Sequence, residues 1–493
     1  MELIWKDLEA VRLIAEAETT LPADGLLPPP DGRTVREVLY CTAEAAVNSI
    51  QLDSDRAELE GTLEVRITAL DDEGAVFAFE SAAGFTHSLN AAGAQQGMRA
   101  DAEACVTSLQ ARAAEGGASF AAELKLGVTV YSHAPIRVIA GVSGIGDMEL
   151  RTRQTSVTVR EELGARTLNM REELAEAGVA EVISCSGQVT VRDVSAERDG
   201  VTVSGVLTVH ALTADGDGRV SGLVRQVPFR ERLDISAPMG DVFCTADVRS
   251  VGVHALGEEF ALLAMEAEIA FTMFAVVKRE LVLTADAFSP SMGFDCLYES
   301  ASLFSRGGRC SVQTQFKETI DLPLGLAELS EPLFASARPI ITSIDTENGE
   351  TIISGVFATS LVYESAGANI YSYTEDIPFS LPLPAECTCN MPKAVCACAV
   401  QITGSTERTA QLSYTLQTDV ELFDIEEASF VAGLAEKEPP SRVSGLIIAF
   451  ASEADEFYDI AKRYSVSCES VKKLNPDAKE PLHEGERLLL LLV

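Results

Sequence analysis

Eleven cysteines are the residues of this chain best suited to bind a metal or react, and four fall together as Cys387-Thr-Cys389 and Cys396-Ala-Cys398. Four thiolates can hold zinc in a tetrahedron, but the usual knuckle separates its ligands by two residues. A spacing of one sets both side chains on the same face of a strand instead. The other cysteines stand alone, at 41, 105, 185, 244, 296, 310 and 468. In a long chain without a signal peptide they read as free thiols that behave as small hydrophobes. No metal or cofactor is expected.

Catalytic chemistry finds no more support. The five histidines, His87, His133, His210, His254 and His483, lie far apart. There is no G-x-x-x-x-G-K-[ST] phosphate loop, no G-x-G-x-x-G, no G-x-S-x-G elbow and no H-E-x-x-H. Among 75 acidic residues no pair stands out as acid and base. The expectation is a protein that is not an enzyme.

A chain of 493 residues with 47% apolar and 23% charged residues has room for three or four globular domains. The net charge of −37 is spread along the chain and repels phosphate backbones and anionic lipid heads. Neither nucleic acid nor direct membrane insertion is expected; docking onto a basic protein face suits such a surface. The opening Met1-Glu2-Leu3-Ile4-Trp5-Lys6-Asp7 lacks the basic, apolar and cleavage regions of a signal peptide, and no run of 18 apolar residues occurs. A soluble, intracellular protein is expected.

The elements that position these residues come from a repeat. Segments 47–85, 191–229 and 341–379 overlay without a gap, and in each a glycine (Gly61, Gly205, Gly355) is followed 24 residues later by a phenylalanine (Phe85, Phe229, Phe379). The copies are 144 and 150 residues apart, too long for solenoid rungs, so each is expected to be a domain with its own core, arranged like beads. Around each glycine apolar residues recur at every second position, as in Leu59, Gly61, Leu63, Val65, Ile67. That period marks a strand with one buried face, and the preceding apolar and turn-prone segments make it half of a hairpin. A glycine on a buried face either makes room for the phenylalanine or marks a bulge.

Further strands are expected at Ala102–Leu109, Cys244–Val251 and Cys396–Thr403, then at Phe120–Val130, Phe260–Phe274 and Gln411–Phe423, with entry strands ending at Leu21, Leu168 and Leu322. Here Cys396 aligns with Ala102 and Cys244, and Cys398 with Ala104 and Ala246, positions that want a small side chain. The fold class is therefore mainly β: three tandem antiparallel β-rich domains at 1–150, 151–308 and 309–432. A linker at 433–444, charged and proline-containing, leads to a small α+β domain at 445–493. That domain reads β-α-α-β: a strand at Ile447–Ala451, helices at Glu456–Tyr464 and Cys468–Leu474, and a strand at Leu488–Leu492.

At Asp455, Tyr458–Ser467, Leu474-Asn475-Pro476 and Gly485-Glu486-Arg487-Leu488 this last domain resembles a LysM domain. The resemblance implies a groove that binds N-acetylglucosamine glycans, formed here by Ala454, Asp455, Glu456 and Phe457 with Asn475, Pro476, Asp477 and Ala478. The family's Gly-Asp-Thr reads Ala454-Asp455-Glu456 in this chain. Upstream, Val203–Val209, Gln226–Phe229 and Asp286-Ala287-Phe288-Ser289-Pro290 resemble SPOCS domains, which occur in tandem ahead of a LysM in spore-forming Firmicutes. The whole is similar to the SipL-like family of spore coat morphogenetic proteins, made in the mother cell and assembled around the forespore. What this resemblance implies is a scaffold whose LysM-like domain recruits a SpoIVA-like coat ATPase, or other coat proteins, through that altered groove. A peptidoglycan-binding protein of the cortex or cell wall is the other possibility.

Overall fold

The computed structural model describes residues 2–492 apart from 31, 144–145, 176–177, 198–199, 236–240, 257–261, 348 and 439–443. Phe260, where one strand was expected to begin, turn residues 198–199 and 348, and linker residues 439–443 lie outside that set.

The first repeat holds β1 (Glu2–Leu8), β2 (Arg12–Leu27), β3 (Glu37–Asp53), β4 (Arg56–Leu70), β5 (Val76–Asn90), β6 (Arg99–Ala114), β7 (Gly117–Ser132) and β8 (Ile136–Ser143). The second holds β9 (Glu149–Ala175), β10 (Glu181–Glu197), β11 (Gly200–Ala214), β12 (Val220–Leu233), β13 (Asp241–Leu256) and β14 (Leu262–Phe288). In the third, β15 (Gly293–Asp321), β16 (Leu329–Glu347), β17 (Glu350–Ser365) and β18 (Ile370–Pro382) precede β19 (Met391–Ser405) and β20 (Thr409–Lys437). The C-terminal module is β21 (Gly445–Phe450), α1 (Phe457–Tyr464), α2 (Cys468–Leu474) and β22 (Arg487–Leu492).

Each repeat packs two antiparallel sheets face to face. One is a meander, β3-β4-β5, β10-β11-β12 or β16-β17-β18; the other joins the entry strand to a closing hairpin, β2-β7-β6, β9-β14-β13 or β15-β20-β19. Period-two patterning explains the packing: Leu59, Leu63, Val65 and Ile67 of β4 are buried, while Glu58, Glu60 and Glu64 between them are exposed. In all three repeats the glycine sits directly opposite its phenylalanine: Gly61 faces Phe85, Gly205 faces Phe229 and Gly355 faces Phe379. A Cβ at Gly205 or Gly355 would stand 2.6 Å from that ring. On the other neighbouring strand the register shifts immediately after the residue facing each glycine, at Val47, Val191 and Ile341. Space for the ring and an adjacent bulge thus occur together, where the sequence posed them as alternatives.

The expected boundary at 308/309 falls inside β15, which pairs with β20 from Gly293 onward, so the third repeat starts there. Residues 433–437, expected as linker, continue β20. Both differences have one cause: the long strands run past each sandwich and form an outer ribbon, to which β1 and β8 correspond in the first repeat.

The repeats are not beads. Leu8, Ile136, Val138, Val157, Leu281, Leu283, Leu303, Ala428 and Phe430, drawn from the three ribbons, form one buried cluster. Val138, Leu283 and Ala428 in it stand 145 residues apart. A second cluster gathers Leu39, Tyr40, Leu212, Val220, Leu333, Phe334 and Val362, with Ile183 and Ile370 against it. Each repeat touches both others: Tyr40 with Ser184 at 2.9 Å, Arg219 with Glu331 at 2.6 Å, and Arg338 with the Val106 carbonyl at 2.5 Å. Strands β2 and β15 also meet, extending one sheet across the first and third repeats.

Candidate functional site

In the C-terminal module, α1 buries Phe457, Tyr458, Ile460 and Ala461 against Val471, Leu482, Leu488 and Leu490. The Glu456 N–H donates to Asp459 Oδ2 at 3.0 Å, and Ser465, at φ 53°, closes the helix. Ser467 caps α2 by accepting from the Ser470 N–H.

The eight candidate groove residues differ in exposure. Three point inward and hold the module together. Asp455, with a side chain only 13% exposed, accepts from the Ser452 N–H at 2.8 Å and from Arg463 at 2.9 Å. Phe457 is buried, and its N–H donates to Glu480 at 2.8 Å. The Asn475 amide donates to the Val471 and Leu489 carbonyls and accepts from the Leu489 N–H at 2.7 Å, tying its loop to β22. Ala478 is half-buried against the core. Ala454, Glu456, Pro476 and Asp477 face outward. Ala454 adopts φ 65°, a left-handed conformation in which a glycine would be more at ease. The first loop is tied to the segment that follows the second: the Leu482 N–H donates to the Asp455 carbonyl at 2.8 Å, and Lys472 reaches both Glu480 and the Phe457 ring.

Glu456, among these residues, and the α1 face beside it meet the second repeat, which sequence reasoning missed. The Arg151 guanidinium donates to Asp459 at 2.7 and 2.9 Å and to Glu456 at 2.8 Å, and lies 4.7 Å from the centre of the Tyr458 ring. Phe288 is buried in the module's own core, edge-on to Tyr458 at 5.1 Å. Lys462 pairs with Asp286 at 2.5 Å, and Glu149 accepts the Cys468 N–H at 3.1 Å. Burial alone would raise the Asp459 carboxyl, but Arg151 and the Glu456 N–H overcome it and hold the group below its ordinary range. The one available signal was the Asp286–Pro290 segment, whose phenylalanine fills this contact.

The cysteines resolve differently from expectation. Cys310 and Cys387 form a disulfide, so they are not free thiols; β15 and the turn before β19 bring together residues 77 apart in sequence. Cys389 and Cys398 are buried singly, and burial pushes the Cys398 thiol up to about 12. Among the described residues no three His, Cys, Asp or Glu side chains gather as a metal site. Where the repeats meet, a cleft of about 560 Å³ is lined by Phe243, Phe274, Phe304 and Phe423. Charged groups on its wall pair across repeats, Arg160 with Glu421 at 3.3 Å and Lys393 with Glu16 at 3.3 Å. No helix among the described residues is long and apolar enough to cross a membrane.

Residues 34–114 and 178–256 match the family model described as SipL, SPOCS domain. These segments cover the meander and the first strand of the closing hairpin in the first two repeats. No curated protein and no solved structure matches the chain.

Proposed function

We propose, from the match of residues 34–114 and 178–256 to the family model described as SipL, SPOCS domain, that this chain is a non-enzymatic scaffold of the spore coat. Its C-terminal LysM-like module recruits a basal coat protein, a SpoIVA-like ATPase, at the forespore surface within the mother cell. The observation that carries the reading is that the two segments matching the SPOCS model belong to two of three structurally equivalent repeats, followed by a β-α-α-β module. A body held by two shared apolar clusters suits a scaffold, which must keep its binding surfaces at fixed separations.

The altered groove favours a protein over a glycan. Glu456, which replaces the hydroxyl residue of the sugar-binding pattern, is already engaged by an arginine of the second repeat. A carboxylate at a groove lip selects basic protein groups.

The test is surface binding of the full chain to a SpoIVA-like protein and, in parallel, to chito-oligosaccharides. Charge reversal at Asp455 is a poor probe, because that carboxylate holds Ser452 and Arg463. Asp477→Lys alters an exposed position instead. The expected result is protein binding that Asp477→Lys weakens by about tenfold, roughly 1.4 kcal/mol, with no sugar binding. Sugar binding without protein binding overturns the proposal.

A further inference from the structure

The contact between the C-terminal module and the second repeat has the composition of a recognition interface rather than of a covalent neighbour's incidental packing. An arginine forks onto two carboxylates, lies against a tyrosine, and is flanked by a phenylalanine inserted into the module's core. Arginine and aromatic anchors of this kind carry most of the energy of protein interfaces.

We infer that the α1 face bearing Glu456, Tyr458, Asp459 and Lys462 is a docking surface for a protein segment presenting an arginine beside an aromatic ring, and that the second repeat occupies it in cis. The module is then latched, and a partner of that chemistry must displace Arg151 and Phe288 to bind. This concerns how the module is held and stands whether or not the partner is a coat protein.

Two observations point to reversible occupancy. The Tyr458 hydroxyl is buried in this contact without a hydrogen-bond partner, a desolvation penalty that release into water removes. The ion pairs are only partly shielded, with side-chain exposures of 31% for Arg151, 52% for Glu456 and 42% for Lys462, so salt competes with them. A cis occupant at high effective concentration lowers the apparent affinity for any outside segment by the fraction of module left open.

Cys468 reports the state of the latch. Its N–H is held by Glu149, and burial followed by that carboxylate pushes its thiol up to about 12. Undocking exposes the thiol and restores its acidity, so alkylation accelerates. The experiment is peptide-resolved maleimide labelling of Cys468 in the full chain, with thermal unfolding as a check on folding. Arg151→Glu is expected to speed labelling at least about tenfold, the charge-keeping Arg151→Lys to speed it much less, and 1 M NaCl to speed the unmodified protein. Labelling that is equally slow, or equally fast, in the unmodified protein and folded Arg151→Glu overturns the latch. In a second arm the probe is a synthetic hairpin peptide copying residues 149–153 and 284–288 joined by an Asn-Gly turn. It is expected to bind Arg151→Glu at least about tenfold more tightly than the unmodified chain. Binding to neither overturns the docking surface. Because no coat protein enters either arm, these outcomes are independent of the spore-coat assay.

Discussion

An alanine in place of Gly205 sets its Cβ 2.6 Å from the Phe229 ring and closer still to the carbonyl oxygen of Thr190. One obstacle is a side chain and the other is backbone. Gly205→Ala is therefore expected to cost about 3 kcal/mol, at the upper end for overpacking, and Phe229→Leu will not restore stability; urea unfolding of the single and double variants checks this. The glycine–phenylalanine partnership was legible because a separation of 24 recurs in every repeat. A bulge was raised only as an alternative at the glycine itself; its place on the facing strand, after Val47, Val191 and Ile341, was not legible, because a bulge is a property of the pair of strands. His210 offers a pH-dependent counterpart. Burial lowers its pKa, so the unfolded chain binds the proton more readily than the folded one. Stability should fall as pH drops below about 6.5, the ordinary histidine value, and level off beneath the depressed one. His210→Gln should flatten that slope in unfolding curves recorded from pH 5 to 8.

Strands carry the next level of argument. The Cys310–Cys387 bridge ties β15 to the turn ahead of β19, across the whole β16-β17-β18 meander. Opening it with reductant, or by Cys310→Ala, is expected to destabilise the third repeat by about 2–4 kcal/mol, measured by denaturant unfolding with and without reductant. No sequence pattern could name these partners, since Cys310 stands alone and Cys387 sits in a cluster that suggested other chemistry. The long strands were likewise only half legible. Gly307 and Gly308 sit between two arginines in mid-strand, where a turn would be an ordinary reading, yet the backbone of β15 continues through them. A Cβ at Gly307 would lie 3.0 Å from Thr158, so that glycine admits β9 of the neighbouring repeat. What looks like an interruption in one repeat is a close approach between two.

At the scale of the molecule, the shared clusters predict cooperativity. Leu283, fully buried among the three ribbons, contacts more than its own repeat. Leu283→Ala is expected to cost about 3 kcal/mol and to lower the melting temperature of all three repeats together. Calorimetry should show them unfolding in one transition; three separable peaks would contradict a common core. The individual strands were readable from alternation, whereas this assembly was not, because strands such as β11 bury both faces and period two cannot say what covers the second one. The second C-terminal helix was readable residue for residue and the first to within one residue at its start, but the contact with Arg151 joins positions 308 apart and had no local sign, and the Asp286–Pro290 segment did not say that Phe288 would pack on Tyr458. That contact also breaks the equivalence of the repeats. Among the described residues, the module's ion pairs and its shared apolar core run to the second repeat. The molecule therefore has a heading: a line from the module through the second repeat to the common junction distinguishes one side of the body from the other.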